Sequence, residues 1–163
     1  MTTLYFIAIG VFITYIVTTC LYFTAIPKSI SETYYMWQDR GVGYIFTLFM
    51  FACSFLFVLP WIEVSEPYTE CFAFISCGAL MFVGAAAQFK ERLTNVVHYT
   101  SAGIWAVSAI IWTILNDVCI SILVGLIYGL VFWAVSRKSF TFWAEFACVM
   151  MMICAIGIKL FIP

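Results

Sequence analysis

Charged residues are scarce in this chain of 163 residues, at 9% of the total. An ordinary soluble domain has about a quarter charged residues. That scarcity excludes a soluble globular domain, and the 66% share of hydrophobic residues excludes a disordered chain. Seven basic residues against eight acidic ones also leave no basic surface with which to bind nucleic acid.

Long polar segments are missing as well, because apolar runs fill nearly the whole chain. A bilayer core about 30 Å thick is crossed by a helix of roughly 20 apolar residues. The sequence therefore predicts an all-α, polytopic membrane protein: a single transmembrane domain over residues 1–163, folded as a compact bundle of six transmembrane helices. The predicted spans are residues 3–25, 42–61, 69–89, 95–115, 118–135 and 141–162.

Basic residues fall almost entirely in alternate connections between these spans. Connections that face the cytoplasm carry the excess of lysine and arginine, so both termini are predicted outside a plasma or inner membrane, with the first, third and fifth connections in the cytoplasm. Lys159, near the outer end of the last span, is expected to reach water or a carboxylate there. The cytoplasmic basic residues are Lys28, Arg40, Lys90, Arg92, Arg137 and Lys138, and the outer carboxylates are Glu63, Glu66, Glu70 and Asp117.

Small residues recur every four positions in the fifth span, at Ser121, Gly125 and Gly129. They share one side of a helix and form a small-x-x-x-small surface, which favours close helix packing in lipid. The neighbour is expected in the same chain, with a homo-oligomer or another membrane protein as the alternative. Asp117, in the short connection before this span, is expected to cap its helix.

The first connection is the only sizeable one, and it contains a helix-start signal. Ser29 and Glu32 match the S-x-x-E capping box, which predicts a short interfacial helix. One interpretation is a structural connector in the headgroup layer. The other is a lid-like segment that presents Ser31 and Glu32 to a ligand entering from the cytoplasm.

His98 is the only histidine and lies about one turn inside the fourth span, at the depth of Glu145 in the sixth. An acid at that depth rarely lacks a partner, so one interpretation is a structural role, either in a buried, hydrogen-bonded pair or with Glu145 reaching the water near Lys138. The other is a cytoplasm-facing polar pocket, lined by His98, Glu145 and Gln88 and covered by Ser31 and Glu32.

The chain offers few side chains that could build a metal site or a hydrolytic active site. A zinc enzyme needs about three protein ligands, and a single histidine makes that arrangement hard. The cysteines form no C-x-x-C pair and are interpreted as packing residues. Only Cys71 and Cys119 are expected near the outer surface, where a disulfide between them is left open. No metal and no cofactor are predicted.

Two short segments carry a family resemblance: Ser29-Ile30-Ser31-Glu32-Thr33 after the first span, and Val97-His98-Tyr99 in the fourth. They resemble the six-helix membrane group that includes DRAM-type proteins and bacterial relatives. The resemblance implies the same six-span bundle and marks Ser31, Glu32 and His98 as positions of interest. It implies no particular reaction.

Together these features predict a small integral membrane protein that interacts with membrane lipid or binds a membrane partner through its polar cluster. The residues predicted to bind the ligand are Ser29, Ser31, Glu32, Gln88, His98 and Glu145. The alternative is a small transporter or channel subunit in which His98 and Glu145 bind a proton or a polar solute. An intramembrane enzyme of lipid metabolism ranks third.

Overall fold

The fold is all-α within residues 1–86, 92–136 and 139–162, which a computed structural model describes, the side chains of 92–94 and 135–136 excepted. Six long helices coincide with the six predicted spans to within a few residues, and a short helix occupies the first connection. In chain order the helices are α1 (Thr2–Phe23), α2 (Glu32–Gln38), α3 (Tyr44–Glu63), α4 (Glu70–Ala86), α5 (Arg92–Leu115), α6 (Ile120–Ser136) and α7 (Phe140–Phe161). The all-α part of the predicted fold class is confirmed within these ranges.

Four of these helices are long and apolar enough to cross a membrane: α1, α3, the part of α5 from Asn95 onward, and α7. Helices α4 and α6 are apolar but shorter. Large apolar side chains such as Leu48, Phe82 and Leu123 are mostly exposed on the outside of the bundle. That exposure suits a helical bundle surrounded by lipid, where hiding apolar side chains brings little gain.

Close contacts at glycines hold neighbouring helices together. A Cβ atom at Gly84 on α4 would lie 2.5 Å from Cβ of Met50 on α3. At Gly125 on α6 it would lie 2.8 Å from Cβ of Met151 on α7, and at Gly129 it would lie 3.1 Å from Cβ of Ala147. The small-residue surface of α6 therefore lies against α7 of the same chain.

Ser121, the first residue of that surface, has a different local role. It is fully buried, and its hydroxyl donates to the carbonyl of Val118 at 2.8 Å. Asp117, by contrast, adopts a left-handed backbone conformation with φ 59°. Among the described residues its carboxylate has no hydrogen-bond partner, so the expectation that it caps the next helix is wrong. Asp117 instead forms the turn between α5 and α6.

Polar contacts connect the helices at the end of the bundle where α1 begins and α7 ends. Asn116 is buried and accepts from the backbone N–H of Glu66 at 3.2 Å. Its amide donates to Thr69 Oγ1 at 3.1 Å and to the carbonyl of Trp112 at 2.9 Å. Lys159 Nζ lies 3.8 Å from Glu66 Oε1, which confirms that Lys159 meets one of the expected carboxylates.

Candidate functional site

The connection between α1 and α3 begins with the predicted helix-start signal. The backbone N–H of Glu32 donates to Ser29 Oγ at 2.9 Å, and Ser29 Oγ also lies 3.0 Å from Ser31 Oγ. The Glu32 carboxylate reaches back to the backbone N–H of Lys28, and its Oε1 lies 3.6 Å from Lys28 Nζ. Ser29 therefore caps the N–H of Glu32 as the predicted capping box requires, whereas Glu32 binds the N–H of Lys28, one residue before the N–H that a capping box would use.

Helix α2 is fixed to α1 by polar contacts that its sequence alone does not specify. Thr33 is fully buried, with its hydroxyl 2.8 Å from the hydroxyl of Tyr15 on α1. The indole N–H of Trp37 donates to Thr19 Oγ1 at 3.1 Å, and the Trp37 ring stacks on Tyr22 with centroids 5.1 Å apart. Helix α2 therefore lies across this end of the bundle and is held there by its contacts with α1.

Glu145 ties the first connection to α7. Its Oε2 accepts a hydrogen bond of 2.5 Å from the backbone N–H of Ile30, and the backbone of Ser31 also interacts with the same carboxyl. Nearby, the backbone N–H of Phe142 donates to the carbonyl of Lys28 at 2.9 Å. A carboxylate that meets backbone N–H groups makes strong, charge-assisted hydrogen bonds. The partner of this half-buried acid is therefore backbone from a segment more than a hundred residues away.

His98 lies one turn inside α5 and is partly buried. Its imidazole is hydrogen-bonded to the backbone of Val83 on α4, and its ring meets the Tyr99 ring edge-on, with centroids 5.4 Å apart. Within the described ranges, no hydrogen bond or ion pair joins His98 to Glu145. Each is held by the backbone of another element, so the two side chains do not form the structural pair considered above.

These groups surround a polar cavity of about 310 Å³ at the α2 end of the bundle. Of the residues proposed for ligand binding, Gln88 lies outside the described residues, and the others all line this cavity. Sequence reasoning missed two polar lining residues that helical spacing would have found. Asn95 precedes His98 by three positions and Thr141 precedes Glu145 by four, so each shares a helix face with the residue already singled out. The polar lining residues are Lys28, Ser29, Ser31, Glu32, Tyr35, Asn95, His98, Tyr99, Thr141 and Glu145.

A narrower apolar cavity of about 60 Å³ adjoins the polar one. The two share Ser31, His98 and Glu145 in their linings, so these polar groups stand where the cavities meet. The apolar cavity continues among aromatic and aliphatic side chains of α1, α3, α4, α5 and α7. Its lining includes Phe12, Phe49, Met50, Cys53, Phe57, Leu80, Ala102, Trp105, Val149 and Met152.

Trp105 differs from the aliphatic and phenylalanine side chains of the apolar cavity because it carries a hydrogen-bond donor. Only 7% of the residue is exposed, and its indole N–H has no hydrogen-bond partner within the described part of the chain. Unpaired buried donors are uncommon in native structures and call for a physical explanation. The spacing of His98, Ala102 and Trp105, at i, i+4 and i+7 on α5, is the sequence signal that places them along one cavity wall.

The described residues hold no group of three or more His, Cys, Asp or Glu side chains arranged for a metal ion. All seven cysteines are free, and Cys71 and Cys119 are both exposed. The disulfide left open between these two cysteines is therefore not formed.

No protein-family model, curated protein or solved structure matches this chain. The resemblance to the DRAM-type group stays a prediction. The class to which the fold points is that of a membrane helical bundle, with a polar cavity at one end that narrows into an apolar one.

Proposed function

We propose that this integral membrane protein binds a membrane amphiphile, with the polar head in the polar cavity and the start of the apolar chain in the apolar cavity. The observation that carries the proposal is the junction of the two cavities at Ser31, His98 and Glu145. A lipid has a matching arrangement, because its polar head is joined to an apolar chain. The site residues are those expected for ligand binding, with Asn95 and Thr141 added.

The sizes of the two cavities limit how such a ligand is held. A cavity of about 310 Å³ is far above the roughly 10–15 Å³ that one water molecule needs, so it has room for a small head group. The hydroxyl, amide and carboxylate groups around it both donate and accept hydrogen bonds, which suits a head bearing hydroxyl groups. The apolar cavity, of about 60 Å³, has room for only the first part of a chain.

Transport is less well supported by the same geometry. Beyond His98 and Glu145 the cavity lining is apolar except for the thiol of Cys53 and the indole N–H of Trp105. A polar solute or proton would need a continuous series of polar groups across the bundle. Amphiphile binding needs only one polar end.

We further propose that all six long helices span the membrane, with both termini outside and the polar cavity at the cytoplasmic face. Helices α4 and α6, at 17 residues each, reach about 26 Å, close to the thickness of the hydrocarbon core. The ion pair of Lys159 with Glu66 lies at the other end of the bundle from Lys28, and the basic connections set the orientation.

Native mass spectrometry of the purified protein tests amphiphile binding. Glu145→Gln removes the charge but keeps an oxygen that accepts from the Ile30 N–H, so the connection stays anchored while the head loses a charged partner. We expect co-purifying lipid on the wild-type protein and its loss in Glu145→Gln and in His98→Ala. The control is Glu66→Gln, which changes an acid at the opposite end and should retain the lipid. Equal lipid occupancy in all variants would contradict the proposal.

A membrane-impermeant thiol reagent tests the orientation. Cys71 and Cys119 are exposed near the end that is proposed to face outward, so intact cells should be labelled there. Asp39→Cys, placed next to α2 in a chain lacking these two cysteines, should react only after the cells are opened. The reverse pattern would overturn the proposed topology.

A further inference from the structure

Hydrogen-bonding groups around the polar cavity are sorted by exposure. Ser31, His98 and Glu145 are partly buried and line both cavities, so they border the point where a lipid head would join its chain. The fully exposed lining residues border the polar cavity alone, and each of them can donate a hydrogen bond. These exposed donors include Lys28, Tyr35, Asn95 and Thr141.

The carboxylate of Glu145 keeps hydrogen-bond acceptor capacity at this junction. Its Oε2 accepts from the backbone N–H of Ile30, and the backbone of Ser31 interacts with the same group. A carboxylate has about four lone-pair sites, so two such contacts leave others unused. Among the described residues, only Trp61 and Trp105 carry a buried side-chain nitrogen or oxygen without a partner. The unused lone pairs of Glu145 are therefore not sealed inside the protein, and a ligand in the cavity can reach them.

The imidazole of His98 supplies a second acceptor, from α5. The N–H of Val83 belongs to the backbone hydrogen bonding of α4, so the group that His98 meets is the Val83 carbonyl. A neutral imidazole that donates to a carbonyl through one nitrogen accepts through the other. That nitrogen, like the lone pairs of Glu145, is not among the sealed polar atoms of the described residues. Two acceptors on two different helices thus border the junction.

The group that links a lipid chain to its head lies at this junction. Ester and ether links contain acceptors only, whereas an amide link contains an N–H donor. An ester facing the Glu145 carboxylate and the His98 imidazole would bring acceptor against acceptor. Polar groups that lose water without gaining a partner cost free energy, so the site favours a link that donates.

We infer that the amphiphile bound by this protein is an N-acyl amino alcohol, in which the amide N–H donates to the Glu145 carboxylate and a neighbouring hydroxyl donates to the His98 imidazole. The inference rests on the proposed amphiphile binding and adds the chemical class of the ligand to it. Glu145 then selects an amide-linked chain over an ester-linked one.

A matched pair of ligands tests the inference with the full-length protein in detergent or nanodiscs. The probes are an N-acylethanolamine and the ethylene glycol monoester of the same fatty acid, which differ only in an amide N–H against an ester oxygen. We expect the wild-type protein to bind the amide roughly tenfold or more tightly, the usual value of a hydrogen bond to a charged group. Dissociation constants for the two ligands give this ratio directly.

Two glutamate variants locate the source of that preference. In Glu145→Gln the remaining oxygen accepts from the Ile30 N–H, so the amide nitrogen of the glutamine faces the ligand as a donor. This variant should bind both ligands weakly, with a ratio of about one or below. Glu66→Gln is the matched control, because Glu66 lies at the opposite end of the bundle in the ion pair with Lys159. It should keep both wild-type affinities and their ratio.

The outcomes separate this inference from the function on which it rests. Equal affinities of the wild-type protein for amide and ester, with both weakened in Glu145→Gln, would overturn the amide link and leave amphiphile binding standing. A preference for the amide that survives in full in Glu145→Gln would overturn the role given to this carboxylate. If neither ligand binds the wild-type protein and no lipid co-purifies, the proposed function fails and the inference fails with it.

Discussion

Replacing Gly125 by alanine should weaken the contact between α6 and α7. The added Cβ would lie 2.8 Å from Cβ of Met151 and 3.0 Å from the carbonyl oxygen of Ala147. Neither atom is the end of a flexible side chain, so the two helices must move apart. Overpacking of this kind costs about 1–3 kcal/mol, whereas exchanging glycine for alanine within a helix gains about 0.5–1 kcal/mol.

Gly103 on α5 provides the matched control, because a Cβ there meets nothing within 4 Å. Its change to alanine makes the same gain in helix propensity without a clash. The difference in unfolding free energy between Gly125→Ala and Gly103→Ala therefore isolates the clash, at about 1–3 kcal/mol.

Reversible unfolding in mixed micelles, as the share of denaturing detergent rises, measures that difference. The destabilisation should not depend on protein concentration, because Gly125 packs within one chain. Equal stability of the two variants would refute the close-packing argument. A destabilisation that shrinks on dilution would instead show that a second copy of the chain packs on this surface, because dilution removes that copy from the wild type as well.

Three further changes test other contacts. Asn116→Ala removes three hydrogen bonds and should lower the unfolding free energy by about 2–3 kcal/mol. The control Asn95→Ala, at an exposed position, should stay within about 0.5 kcal/mol of the wild type. Similar losses of stability in the two variants would contradict the role of the buried amide. Thr33→Val removes the contacts of the Thr33 hydroxyl with the Tyr15 hydroxyl and with the carbonyl of Ile30. It should cost about 1–2 kcal/mol and loosen α2, seen as faster amide exchange there; unchanged exchange would show that other contacts anchor the helix. Glu66→Gln breaks only an ion pair in which about half of the Glu66 side chain is exposed, and it should cost less than about 0.5 kcal/mol in the same assay. A larger loss would contradict the weak contribution expected of a solvated pair.

The sequence alone determined the elements and the local contacts. Each long helix could be predicted because backbone in lipid must satisfy its own hydrogen bonds, which makes a long apolar run a helix. The capping contact of Ser29 with Glu32 was also predictable, since both partners lie within one turn. The spacing of Gly125 and Gly129 predicted a close-packing surface, because residues four apart share a helix face.

Only the tertiary structure decided which partners the polar groups have. Glu145 meets the backbone N–H of Ile30, and His98 meets the backbone of Val83, although the sequence placed the two side chains at one depth and allowed them to pair. The unpaired N–H of Trp105 was equally invisible in the sequence. The physical reason is that apolar faces of helices in lipid are nearly equivalent, so local pattern does not fix which neighbour each face meets. Those neighbours emerge from the close packing of the whole bundle, and they alone give the cavities their walls.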